Sequence, residues 1–92
     1  MTRRVKGRGW LRTSNFGSST ASYQFSIRTE NGVLVAEGEV RGELTQMVEA
    51  RAARRATLVL DNDRWMPIEA LDLTADGLKF RSLGDISFLN EE

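Results

Sequence analysis

The chain of 92 residues contains neither cysteine nor histidine. Without cysteine it can form no disulfide, thiolate metal site or cysteine nucleophile. Without histidine it lacks the commonest general base and the commonest metal ligand. No apolar run approaches the roughly 18 residues that a membrane span needs, so we expect no membrane association. The redox compartment is undetermined, and the cytoplasm is the default location.

The remaining side chains offer no recognisable catalytic constellation. The chain has only two lysines, Lys6 and Lys79, and no glycine-rich loop precedes a predicted helix. Asp61 and Asp63 could begin an oxygen-ligand cation site, but the glycine and glutamate of a calcium loop are missing. The composition around them is that of a tight turn. We therefore predict a non-enzymatic protein with no metal and no cofactor.

The formal net charge of zero hides an uneven distribution of charged residues. Residues 1–29 carry six basic residues and no acidic one, whereas residues 30–92 carry seven basic and thirteen acidic residues. Asymmetry of this kind indicates an electrostatic partner, or a basic segment that lies across the acidic body of its own domain.

We interpret residues 1–22 as a flexible N-terminal arm followed by a polar linker. Two roles are open for the basic arm. The arm could bind nucleic acid, because cations neutralise phosphates and an indole can stack on a base. Gly7 and Gly9 would then let the backbone approach the ligand closely. In the alternative, the arm is a solvated tail. The candidate nucleic-acid-binding residues are Arg3, Arg4, Lys6, Arg8, Trp10 and Arg12.

Residues 23–92 are predicted to form a single α+β domain that starts with a β-hairpin. Asn31-Gly32 is the preferred pair for a two-residue type I′ turn. That turn sets the register, which places four pairs on one apolar face and the polar side chains on the other. The four apolar-face pairs are Tyr23 with Val40, Phe25 with Gly38, Ile27 with Ala36, and Thr29 with Leu34.

A helix is predicted from about residue 43 to residue 55, because this segment is rich in good helix formers. Leu44, Met47 and Val48 form an apolar stripe at helical spacing. Arg51 and Arg55 continue the same face, where they must lie at the rim of the core, pair with acids, or hold an anion. We predict that they pair with acids.

The remainder of the chain is predicted to be β-structure, in the order ββαβββ. Asp76-Gly77 is interpreted as a turn that places Leu73 opposite Phe80, and Pro67 marks an edge, a bulge or a break. A short last strand is expected within residues 84–92. The predicted fold is α+β: a curved antiparallel sheet, or a partial barrel, with one helix packed on it.

Two short motifs could together bind a ligand. Arg51 and Arg55 form R-x-x-x-R, and Asp72, Thr74 and Gly77 form D-x-T-x-x-G; this pair resembles the paired motifs of PilZ domains. The resemblance implies binding of cyclic di-GMP, with the arginines on the phosphates and guanine edges. Only residues 56–92 follow the arginines, which is about half of what the barrel of that family needs. The candidate anion-binding residues are Arg51, Arg54 and Arg55.

An interaction surface is the other candidate. Trp65 and Met66, next to a turn, are predicted to form an exposed apolar cluster, and an open antiparallel sheet has an edge strand that can receive a partner strand. We therefore expect a small regulatory or adaptor domain, monomeric or homodimeric, that binds a macromolecule. A protein partner is favoured over nucleic acid. The alternatives are a sensor of a phosphate-bearing small molecule, such as a cyclic dinucleotide, and a weak nucleic-acid binder that uses the basic arm.

Overall fold

Six strands and one helix make up a closed β-barrel in the computed structural model, which describes residues 3–14, 17–87 and 89. The strands are hydrogen-bonded in the cyclic order β1-β2-β3-β6-β5-β4, and every pairing is antiparallel. The elements are β1 (Arg3–Thr13), β2 (Gly17–Glu30), β3 (Val33–Arg41), α1 (Leu44–Ala53), β4 (Arg55–Val59), β5 (Trp65–Thr74) and β6 (Gly77–Ser82).

The predicted α+β class and the helix packed on an antiparallel sheet are confirmed, but the predicted element order lacks one strand. Residues 3–13 do not form a flexible arm: they form β1, and most of the expected linker forms the first half of β2. Pairing of β1 with β2 runs from Arg3 opposite Ile27 to Thr13 opposite Gly17. The segment predicted as an arm is therefore part of the barrel wall.

The β2–β3 hairpin has the register that the sequence predicted. Asn31 has φ 53° and Gly32 has φ 80°, as a type I′ turn requires. Tyr23 lies opposite Val40 and Phe25 opposite Gly38, and both aromatic rings point into the core. The Phe25 ring lies 5.8 Å from the Tyr23 ring and 6.0 Å from the Phe80 ring, measured between centroids.

The register of the β5–β6 hairpin differs from the prediction. Leu73 lies opposite Leu78, and Phe80 lies opposite Ala70, because Ala75-Asp76 rather than Asp76-Gly77 forms the turn. The pairing also shifts between Ala70 and Asp72, where a β-bulge inserts Leu71. Pro67 itself lies within β5 opposite Thr57. The β-bulge at Leu71 falls four residues after the proline that was predicted to mark an edge, a bulge or a break.

The helix packs against the barrel by a face that shares only Met47 with the predicted apolar stripe. Gln46 and Ala50 are its buried residues, whereas Leu44 is 65% exposed and Val48 is 50% exposed. The Gln46 amide donates to the Gly17 carbonyl oxygen (2.6 Å), and its carbonyl oxygen accepts from the Ser19 hydroxyl group. Hydrogen bonds to the β1–β2 hairpin thus take the place that the apolar stripe was predicted to have.

The core lies inside the barrel and is closed at the end where β1 begins by residues that follow β6. Ile86 and Leu89 are buried there, and the Leu89 N–H donates to the Ile86 carbonyl oxygen (3.0 Å). Of residues 84–92 the structure describes 84–87 and 89, and these form no strand. No helix within the described ranges is long and apolar enough to cross a membrane.

Candidate nucleic-acid interface

Strand β1 carries a line of cationic and aromatic side chains along its outer face. Its odd-numbered residues, among them Gly9 and Leu11, are directed into the barrel, so its even-numbered residues face outward. We call this outer face the basic ridge; it comprises Arg4, Lys6, Arg8, Trp10 and Arg12. Five of the six residues predicted to bind nucleic acid therefore lie in one row.

The strand beside the basic ridge supplies polar but uncharged neighbours. Directly opposite the ridge, β2 presents Ser26, Gln24, Ser22, Thr20 and Ser18. Within the part of the chain that the structure describes, no side chain of the four ridge cations forms a hydrogen bond or ion pair. The positive charge of the ridge is therefore not neutralised by these neighbours.

Two acidic side chains on the neighbouring strands are paired with arginines, whereas Glu39 on β3 forms no ion pair with a described residue and lines a cavity with Arg4 and Lys6. Arg28 contacts Glu30 (2.9 Å) and Glu37, and Arg81 contacts Glu30 (2.7 Å). The hydrogen bonds from Arg28 and then from Arg81 lower the pKa of the Glu30 carboxyl group. This network of β2, β3 and β6 satisfies its own charges, whereas the ridge does not.

Two indoles flank one outward-facing valine where β1 meets β4. Trp10 lies opposite Val59 across the β1–β4 pairing, and Val59 lies opposite Trp65 across the β4–β5 pairing. Val59 is only 6% exposed although it lies outside the core cluster, while Trp10 is 39% and Trp65 57% exposed. The two indoles therefore shield Val59 and present aromatic surface to solvent.

An open groove of about 640 Å³ continues the ridge beyond Trp10. The Arg12 guanidinium carbon lies 4.5 Å from the centroid of the Trp65 ring, which fixes the end of the ridge against the indole. The groove is lined by Arg12, Thr13, Ser14, Arg55, Ala56, Thr57, Trp65, Pro67, Leu83 and Gly84. Residues from three separate predictions (the arm, the anion site and the apolar cluster) thus meet at one surface.

The three arginines at the end of the helix and after it are not arranged as predicted. Arg51 is in α1, Arg54 adopts a left-handed conformation (φ 63°) that ends the helix, and Arg55 begins β4. All three are exposed, and their side chains form no ion pair with any residue that the structure describes. The prediction that Arg51 and Arg55 pair with acids is therefore wrong. Of the three, only Arg55 lines the groove.

One candidate residue lies elsewhere, and two further predictions require correction. Arg3, at an odd-numbered position of β1, lies off the ridge, and its guanidinium group donates to the Leu89 carbonyl oxygen (2.8 Å). Met66 is fully buried in the core, so Trp65 alone of the predicted apolar cluster is accessible. Closure of the barrel by the β1–β4 pairing leaves every strand of the described residues with two neighbours, so the expected edge strand is missing.

The second of the two short motifs is accounted for by local structure. The Thr74 hydroxyl oxygen accepts from the Asp76 N–H (3.1 Å), and Asp72 accepts from the Leu73 N–H (2.9 Å). These are bonds of the β5–β6 hairpin, and none within the described ranges joins this motif to Arg51 or Arg55. The residues Asp61 and Asp63 lie in the β4–β5 turn, and no described cluster of acids could hold a metal ion.

Comparison with known proteins gives no relative, since the chain matches no protein-family model and no curated protein or solved structure is significantly similar to it.

Most residues of this surface were predictable from the sequence, but their convergence was not. The signal for β1 was present, because Val5, Gly7, Gly9 and Leu11 alternate with the ridge residues at period 2. No comparable signal places Arg55 beside Arg12, since that proximity depends on the closure of the barrel.

Proposed function

We propose that this protein binds single-stranded nucleic acid along the basic ridge. The observation that carries the proposal is the row of four unpaired cations on one exposed strand, with two exposed indoles at its end. Cations attract the phosphate backbone without regard to sequence, and aromatic side chains stack on unpaired bases. This combination is typical of surfaces that bind single strands.

The dimensions of the ridge suit an extended single strand. Outward side chains of a β-strand recur every ~6.8 Å, so Arg4 and Arg12 are separated by about 27 Å. The ~6.8 Å between neighbouring ridge side chains is comparable with the distance between successive phosphates in an extended single strand. A double helix presents its bases stacked and paired, and would leave Trp10 and Trp65 without a stacking partner.

Protein docking has less support from the same surface. The features that favoured it in the sequence were an edge strand and an exposed Trp65–Met66 cluster; the barrel has no edge among its described strands, and Met66 is buried. An acidic protein segment could satisfy the ridge cations but would not use the indoles. Competition by polyglutamate therefore separates the two ligand classes.

The test measures fluorescence anisotropy of labelled oligothymidylate and oligouridylate of about 12 nucleotides, which is within the usual site size of single-strand binders. Neutralisation of about four phosphates predicts that log K falls with log salt with a slope of about −2.8. The variant Arg4→Gln/Arg8→Gln should reduce the slope to about −1.4. Binding should also quench the fluorescence of the exposed indoles.

The matched control is Arg51→Gln/Lys79→Gln, which also removes two exposed cations but lies outside the ridge. We expect this control to retain the slope of the unmodified protein. Equal losses in both double variants, or equally effective competition by polyglutamate, would show that binding depends on overall charge and not on the ridge.

A further inference from the structure

Two guanidinium groups from different strands face the same groove. Arg12 lies opposite Thr57 across the β1–β4 pairing, and Arg55 precedes Thr57 by two residues on the same face of β4. Arg12 and Arg55 are therefore diagonal neighbours, for which the Cα separation is typically about 7–8 Å. Both side chains line the groove.

The charge of this pair is not balanced by a described acid. Glu69 lies opposite Arg55 on β5, but no ion pair joins them, and Glu69 does not line the groove. The uncharged hydrogen-bonding side chains around the two arginines belong to Thr13, Ser14 and Thr57. The groove therefore combines two positive charges with hydroxyl groups.

Trp65 gives the groove an aromatic side next to these charges. Its ring lies against the Arg12 guanidinium group, so the indole holds one of the two cations in position. The indole is 57% exposed, which leaves aromatic surface available for a base. A ligand that fits this groove carries a phosphate group and a base on the same nucleoside.

We infer that the groove binds a terminal phosphate monoester together with its nucleoside, with Arg12 and Arg55 on the phosphate and Trp65 beside the base. The inference rests on the proposed function, because it makes the groove the place where a bound strand ends. A monoester carries a charge of about −1.5 to −2 at neutral pH and three acceptor oxygens, more than an internal diester offers. Two guanidinium groups match that charge and can each donate two hydrogen bonds.

The experiment compares one oligonucleotide sequence in three forms, with a 5′-phosphate, with a 3′-phosphate and with no terminal phosphate. We expect one phosphorylated form to bind about tenfold more tightly than the unphosphorylated form, as charge-assisted hydrogen bonds at a partly exposed site allow. Arg55→Gln should reduce this preference to less than about twofold and change the affinity for the unphosphorylated form little. Arg51→Gln, four residues earlier, should retain the preference.

A nucleoside 5′-monophosphate, added as competitor, distinguishes the two possible sources of the phosphate monoester, which are the end of a strand and a free nucleotide. Displacement only at concentrations far above the Kd of the phosphorylated oligonucleotide assigns the groove to the end of a strand. Displacement at similar concentrations assigns it to free nucleotides, and both results support the recognition of a monoester.

Equal affinities for all three forms would overturn the inference, and the proposed function would stand if these affinities still depended on salt and on the ridge. A phosphate preference without any dependence on the ridge would instead support the groove and contradict strand binding. Equal loss of the preference in Arg51→Gln and Arg55→Gln would also overturn the inference, since general charge would then explain it.

Discussion

Gly7 and Gly9 close the barrel and do not serve ligand approach, which is the role that the sequence suggested. A Cβ atom on Gly9 would overlap the carbonyl oxygen of Val59, so a side chain there is incompatible with the pairing of β1 and β4. A Cβ atom on Gly7 would overlap the hydroxyl group of Tyr23. The absence of both side chains lets β4 come close and lets the Tyr23 ring lie beneath β1.

Tyr23 connects β2 to the turn between β4 and β5. Its hydroxyl oxygen accepts a hydrogen bond from the Asp61 N–H (3.1 Å), while the ring is buried beside Phe25. Burial raises the pKa of the Tyr23 phenol above its ordinary value of 10.0, because it disfavours the phenolate; the nearby Asp61 carboxylate acts in the same direction. The hydrogen bond from the Asp61 backbone lowers the pKa of the phenol, but its effect is smaller than that of burial.

Since Tyr23 is the only tyrosine of the chain, its titration can be followed directly by phenolate absorbance. We expect a midpoint above 10 in the folded protein and near 10 in denaturant. The unfolded state then releases the proton first, so the free energy of unfolding falls as the pH rises above 10, by at most about 1.4 kcal/mol per pH unit. Below that pH this group contributes no pH dependence.

Tyr23→Phe is the control for this titration. It should remove this part of the alkaline sensitivity and lower the stability at neutral pH by about 0.5–1.5 kcal/mol, because the hydrogen bond to Asp61 is lost. Identical phenolate midpoints in the folded and the denatured protein would contradict the account.

At the scale of secondary structure, α1 is held by polar contacts that its sequence pattern does not reveal. Gln46 is only 2% exposed and bonds to Gly17 and Ser19, and its amide nitrogen also lies 3.4 Å from the Thr13 hydroxyl oxygen. A buried amide with these partners is satisfied, and loss of the amide removes these hydrogen bonds.

Gln46→Leu should therefore lower the free energy of unfolding by about 1–3 kcal/mol, although it makes the helix more apolar. Val48→Ala is the matched control, because Val48 belongs to the predicted apolar stripe but is half exposed; we expect a change of less than about 0.5 kcal/mol. Urea denaturation measures both values. A larger loss in Val48→Ala than in Gln46→Leu would restore the predicted apolar face.

The elements differ in how far their sequences determine them. The register of the β2–β3 hairpin was predictable, because Asn31-Gly32 favours a type I′ turn and that turn fixes the register. The start of β2 at Gly17 was not, since residues 17–22 have the composition of a linker. The β5–β6 register was not, since the bulge at Leu71 and the turn at Ala75-Asp76 both move it and neither has a strong local signal. The core-facing side of α1 depends on where the β1–β2 hairpin lies, which no local pattern contains.

At the scale of the whole molecule, the uneven charge of the sequence becomes a row of cations along one strand of the barrel. The basic residues of the first third are spread along β1, and only Arg28 on β2 and Arg3 at the start of β1 have hydrogen-bonded partners among those described. The predicted division into an arm and a domain does not describe this arrangement, because β1 pairs with β2 over eleven positions. The candidate site could be predicted residue by residue along β1, but its groove required the closed barrel.

The closure of the barrel depends on its shortest pairing, and that pairing lies under the proposed ligand. β1 and β4 share three residue pairs, and Trp10 and Arg12 belong to two of them. A nucleic-acid strand that contacts both β1 and the groove would lie across the β1–β4 pairing, which we call the seam. It would hold the two β-strands together, so ligand binding opposes local opening of the barrel. At 100 times its Kd, such a ligand raises the free energy of opening by about 2.7 kcal/mol. Amide hydrogen exchange at Leu11 and Leu58, on the two sides of the seam, should then slow about 100-fold; unchanged exchange there would show that the ligand does not bridge the seam.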